Sequence, residues 1–124
     1  MATSTSINNV SRTFTATVTV DQYLLTRLDL GKVNVATKDS DDVLVGFSDR
    51  KVNQSDAGPI QLINGGGTVL ATAATTVTAG DAVYRASGGK IETAITGVVT
   101  ITGDAIGHSL QDAVANDVIE ILLA

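Results

Sequence analysis

His108, followed directly by Ser109, is the one histidine of this 124-residue sequence and the only side chain whose ordinary titration lies near neutrality. A nucleophile and its base must meet on one face. Neighbours on an extended strand point to opposite faces, so this dipeptide cannot itself supply a Ser–His pair. The densest carboxylate group, Asp39, Asp41 and Asp42, offers the hard oxygens that calcium takes. A calcium-binding loop starting at Asp39 would need Gly at its sixth position and Glu at its twelfth, where Leu44 and Arg50 stand. The group reads as a solvated acidic turn, and no metal site is expected. Gly65, Gly66 and Gly67 could cradle a phosphate, but no Lys-Ser/Thr pair follows, and a hinge or hairpin loop explains them better. Asn9-Val10-Ser11 and Asn53-Gln54-Ser55 match the glycosylation pattern, which acts only on a secretory route. Cysteine is absent, which excludes disulfides, thiolate metal sites and thiol nucleophiles. No catalytic set emerges, and neither an enzymatic activity nor a cofactor is expected.

The charge balance points the same way. Thirteen acidic residues face eight basic ones, for a net charge of -5, with no basic cluster; this repels phosphate backbones and anionic lipid, so neither nucleic acid nor membrane is an expected partner. The start, Met1 to Ser6, lacks the basic and apolar segments of a signal peptide, and no apolar run is long enough to span a bilayer, so synthesis in the cytoplasm is expected.

Whatever these residues do, they are carried by a β framework. Thr, Val and Ile together number 41 of 124 residues, and aromatics make up only 3%, so the core must be built from small aliphatic side chains that suit a pleated surface. Phe14, Ala16, Val18 and Val20 alternate with Thr13, Thr15, Thr17 and Thr19, which predicts a half-buried strand with threonines outward. Tyr23 to Leu30 fits one helical turn or an alternating strand. Val33 to Ala36, Val43 to Phe47, Ile60 to Ile63, Thr68 to Ala71, Thr75 to Tyr84, Ile91 to Ile101, Asp104 to His108 and Val118 to Leu123 read as strands or strand-bearing segments, while Ser48 to Pro59 reads as a polar loop or a short helical turn. Short strands separated by Gly-rich turns predict a mainly β domain over residues 13–124, a small barrel or sandwich. Gly80-Asp81 between Val-rich segments predicts a tight hairpin with positive φ at Gly80.

An echo runs through the chain, between residues 18–63 and 77–123. Val18-Thr19, Gly31-Lys32-Val33, Gly46-Phe47-Ser48 and Ile60-Gln61-Leu62 resemble, in the same order, Val77-Thr78, Gly89-Lys90-Ile91, Gly107-His108-Ser109 and Ile119-Glu120-Ile121. Either two similar β units are packed together, or four short matches arose in a Thr/Val/Gly-rich sequence.

Residues 1–12 differ in character. Thr3, Ser4, Thr5, Ser6, Asn8, Asn9 and Ser11 are polar, and only Ile7 and Val10 are sizeable apolar side chains, with Arg12 as the one positive side chain. This composition predicts an extended arm, either a frayed terminus or a segment that orders on a partner by joining a strand edge.

The phrase Val77-Thr-Ala-Gly-Asp-Ala-Val-Tyr84, followed by Gly88-Gly-Lys-Ile91, Ile106-Gly107 and Ala115-Asn-Asp-Val-Ile-Glu-Ile-Leu-Leu123, resembles the small capsid decoration, or cement, proteins of tailed phages. The similarity covers residues 68–124 and, more loosely, the first half through the echo. It departs at His108-Ser109, where a small or aliphatic residue is usual, and at Asn116-Asp117, where Gly-Asp or Gly-Glu is common. The resemblance implies a β-rich protein, commonly a homotrimer, on the outer surface of a phage head. Its partner would be the major capsid protein, whose capsomers it would cement against the pressure of the packaged genome. On such a shell the arm residues Thr3 to Arg12, by their own composition, are the expected contact. The competing expectation is a receptor- or glycan-binding module of a phage fibre or an adhesin, which should carry surface aromatics or a pocket.

Overall fold

The computed structural model describes residues 10–38, 42–93 and 105–123. Within them lie β1 (Ser11–Thr15), β2 (Leu25–Asp29), β3 (Lys32–Val35), β4 (Leu44–Ser48), β5 (Ala57–Leu62), β6 (Thr68–Thr72), β7 (Ala82–Arg85), β8 (Ile91–Thr93), β9 (Gly107–Ser109) and β10 (Val118–Leu123). They form two five-stranded antiparallel sheets, ordered β1-β5-β4-β2-β3 and β6-β10-β9-β7-β8. Adding five to each strand number of the first order gives the second, so the protein is two similar β units in tandem.

Each sheet curls until its first strand reaches its third. Ala16, just past β1, makes a parallel bridge to Val33, and Ala73, just past β6, makes the same bridge to Ile91; Val20–Val52 and Val77–Ala113 are matching antiparallel bridges. Six buried side chains of the first unit, Ala16, Val20, Val33, Val45, Val52 and Ile60, therefore have register counterparts in Ala73, Val77, Ile91, Ile106, Ala113 and Ile121. Nothing larger than Ile occurs in either set, because five short strands enclose little volume. Each such Val or Ile stabilises the fold by roughly 1.5–3 kcal/mol over its exposed form.

The pairing settles the echo and corrects its alignment. The Gly-Lys and Gly46/Gly107 segments match as expected, but Val20, not Val18, corresponds to Val77, and Ile60 corresponds to Ile121 rather than Ile119. A shift of two residues keeps every side chain on its face, which is why the sequence pattern survived the error. The strand expected over residues 13–20 also ends early, at Thr15: the chain bends at Thr17 and Val18 to let the Thr17 amide donate to the Val33 carbonyl (2.9 Å). Tyr23 to Leu30 resolves into β2 and a two-residue hairpin at Leu30-Gly31, both with positive φ. The segment expected as a polar loop up to Pro59 contains the start of β5. The Leu62 amide donates to the Val10 carbonyl, so even positions of β5 bond β1 and odd ones face β4, whose pairing stops at Ser48–Ile60. Pro59, lacking an N–H, thus forfeits no ladder bond.

The two units share a core. Leu25, Ala36 and Phe47 of the first unit belong to one buried cluster with Val69, Ala71, Val83, Ile106, Ile119 and Leu123 of the second. Backbone bonds cross the same junction: the Thr72 amide donates to the Tyr23 carbonyl (3.1 Å) and the Gly89 amide to the Ala36 carbonyl (2.9 Å). Buried Arg85 donates through Nε to the Thr37 carbonyl (2.6 Å) and through Nη1 to the Asp42 carbonyl (3.3 Å), and Lys38 pairs with Glu92 at 2.7 Å. The triple glycine stands where the first sheet passes to the second, its first member closing a single 3-10 turn at Ile63–Gly65, and forms a linker rather than a hairpin.

Candidate interaction surface

The side chains singled out for chemistry are held apart. In β9, His108 is exposed and Ser109 buried, on opposite faces as alternation requires, and the Ser109 hydroxyl donates to the Gln111 carbonyl at 2.6 Å. Asp42 pairs with Arg27 at 3.5 Å, while Asp39 and Asp41 lie outside the described residues. Among the described residues no three His, Cys, Asp or Glu side chains are grouped as metal ligands would be, and no helix is long and apolar enough to cross a membrane.

Gly80-Asp81 is a β-turn but not a hairpin. The Asp81 amide donates to the Thr78 carbonyl (3.0 Å), the Asp81 carboxylate accepts the Thr78 amide (3.0 Å), and Gly80 has φ +91. The strand after the turn does not pair back on the segment before it: Val77 bridges Ala113 while Ala82 pairs His108. A Cβ at Gly80 would meet nothing within 4 Å, so its requirement is conformational alone. Gly80→Val should lower stability by about 1–2 kcal/mol in urea unfolding; an unchanged midpoint would refute the turn's need for glycine. Asn116, standing where the decoration proteins commonly have glycine, has φ +72, a conformation that asparagine tolerates, and its Oδ1 accepts from Lys90 Nζ (2.8 Å).

Of the arm residues, Thr3, Ser4, Thr5, Ser6, Ile7, Asn8 and Asn9 lie outside the described residues. Val10, Ser11 and Arg12 do not belong to an arm. Ser11 and Arg12 open β1 opposite Gln61 and Ile60, and the Arg12 guanidinium lies 5.6 Å from the Phe14 ring centroid. Edge pairing to β5 captures these residues despite their polar sequence, because a strand edge recruits backbone rather than side chains.

Two further surface features among the described residues bear on interaction. The first is a row across the outer face of the second sheet, in which Thr68, Leu122, His108 and Ala82 stand side by side on β6, β10, β9 and β7. Leu122 is 46% exposed, and Leu70 and Val118 on the same face are 37% and 46% exposed. The second is a cavity of about 400 Å³ at the end of the first sheet, lined by Arg12, Phe14, Leu28, Leu44, Val45 and Leu62 among others. Neither was singled out from the sequence, nor was Arg85. The row needs the register of four strands, and the cavity needs strands from opposite ends of the first unit.

No family model matches the chain, and no curated protein does. The fold is nevertheless similar to a solved one. The N base of the head fiber gp8.5 of bacteriophage phi29 superposes with a TM-score of 0.70 over 93% of each chain, at 16% sequence identity. At that coverage the likeness takes in both curled sheets, so the fiber base shares the tandem arrangement. The low identity shows that the fold tolerates nearly complete replacement of its side chains, as a core of interchangeable small aliphatics allows.

Proposed function

We propose that this chain is a structural protein of a phage virion, a homotrimer on the outer surface of the head that binds the major capsid protein and cements neighbouring capsomers. The observation that carries the reading is the likeness of the whole tandem fold to a phage head fiber base. The decoration-protein phrase from Val77 to Leu123 supports it. The role is mechanical: each copy adds buried area across a joint between shell subunits, and several sites engaged at once let modest individual contacts hold through effective concentration. A module of a phage fibre is the second reading, favoured by the same comparison because the matched protein is itself the base of a fiber.

The contact with the shell is assigned to residues 1–9, rich in hydroxyls, amides and backbone donors that can extend a subunit's strand edge. Val10 to Arg12 must be kept in the test, because removing them strips β1. Deleting residues 2–9 should leave the melting temperature within a degree or so, since Ile7 is their one sizeable apolar side chain and so little apolar area is at stake. The same deletion should lower the number of copies bound to emptied, expanded heads at least about tenfold, the equivalent of roughly 1.4 kcal/mol per site. Full occupancy by the truncated protein would refute the arm's role. Binding of the intact chain to glycans but not to heads would replace the cementing reading with the fibre one.

A further inference from the structure

The two units match strand for strand, yet among the described residues only one of their two sockets is seen filled. At the second unit, Val69, Ala71, Ile106 and Leu123 are buried in one cluster with Leu25, Ala36 and Phe47 of the first. Their register counterparts in the first unit are Arg12, Phe14, Val45 and Leu62, and these four line the cavity of about 400 Å³. The inserting face has a counterpart too. Leu25 pairs with Phe47, and the matching pair in the second unit is Ala82 with His108. Phe47 is fully buried, whereas His108 stands exposed beside the exposed Leu122.

We propose that this exposed row of the second unit docks into the first-unit cavity of a second copy of this chain, repeating head to tail the contact that joins the two units within one chain. The sizes are complementary. In the socket Ala71 is replaced by Phe14, and in the inserting face Phe47 is replaced by His108, so a shallower socket meets a shorter side chain. The charges agree as well: Arg12 lines the socket, while Asp81 and Glu120 flank the row. A contact between two different patches is heterologous and closes into a ring when its rotation allows. It supplies the interface for the homotrimer proposed above and rests on that reading only for the number of copies.

The absence of cysteine permits a direct test in purified protein without heads. Leu28→Cys chains, or Asn64→Cys chains should the first fold poorly, both of which keep Arg12, are mixed with Ala82→Cys chains and treated with a short bismaleimide. The mixture should give at least ten times more covalent dimer than either variant alone, and adding His108→Lys, which sets a like charge against Arg12, to the Ala82→Cys chain should reduce it about tenfold. No excess in the mixture, equal product from one variant alone, or indifference to His108→Lys would overturn the contact. An occupant from within the chain, such as residues 1–9, would give the first of these. Failure of the cross-link with head binding intact removes this interface alone, and failure of head binding with the cross-link intact removes only the functional reading.

Discussion

Gly46→Ala is expected to leave little folded protein, through a loss of about 3 kcal/mol or more, the upper range for forcing extra atoms into a packed site. Gly46 lies in β4 opposite Leu62, and a Cβ there would overlap the Gln61 carbonyl oxygen of β5 and crowd the Leu62 Cα at 2.9 Å. The obstructing atoms are backbone, so no rotamer change can make room; the two strands must part. The second unit repeats the arrangement. Gly107 lies in β9 opposite Leu123, and a Cβ there would overlap the Leu122 carbonyl oxygen. Gly107→Ala should therefore fail in the same way. Gly80→Ala provides the contrast, since its surroundings are open and only its φ of +91 is at stake, at about 1 kcal/mol. Soluble yield and urea midpoints of the three variants check the expectation. A Gly46→Ala protein as stable as Gly80→Ala would mean that the β4–β5 approach is not as close as described.

What could be read from the sequence, and what could not, follows from the range of the interactions. Alternation and β-branched composition pointed to a mainly β fold because they act between neighbours along a strand. The turn chemistry at Gly80-Asp81 was visible for the same reason. Two similar units were visible as an echo because Gly46 and Gly107 face the same backbone obstruction, so both positions call for glycine. Register was misplaced by two residues at Val18 and Ile119, since period-two patterns are blind to even shifts. The end of the arm was misplaced because Ser11 and Arg12 enter β1 through main-chain pairing that leaves no apolar signature. The cavity, the exposed row and Arg85 were invisible because each is assembled across strands far apart in the chain. Arg85 reads as a lone charge in a strand until Thr37 and Asp42 are brought to it.

The junction between the units makes the strongest claim on a single side chain. Phe47 is wholly buried and, with Leu25 and Ala36, belongs to the first unit by sequence but to the second by packing. Phe47→Ala is expected to cost about 3–5 kcal/mol, because an emptied aromatic site loses both transfer free energy and the contacts around the cavity it leaves. That is a large part of the roughly 5–15 kcal/mol that holds a typical domain together. The register-equivalent change, His108→Ala, should cost within about 0.5 kcal/mol in the dilute chain, because its side chain is exposed there. Hydrogen exchange then separates a weakened junction from general loosening. The amides of Thr72 and Gly89, which donate across the junction to Tyr23 and Ala36, should lose protection in Phe47→Ala more than that of Ala113, which donates to Val77 within the second unit. Equal loss at all three amides, or equal costs for Phe47→Ala and His108→Ala, would show that the units are not joined through this side chain, and the head-to-tail contact inferred from that junction would lose its basis.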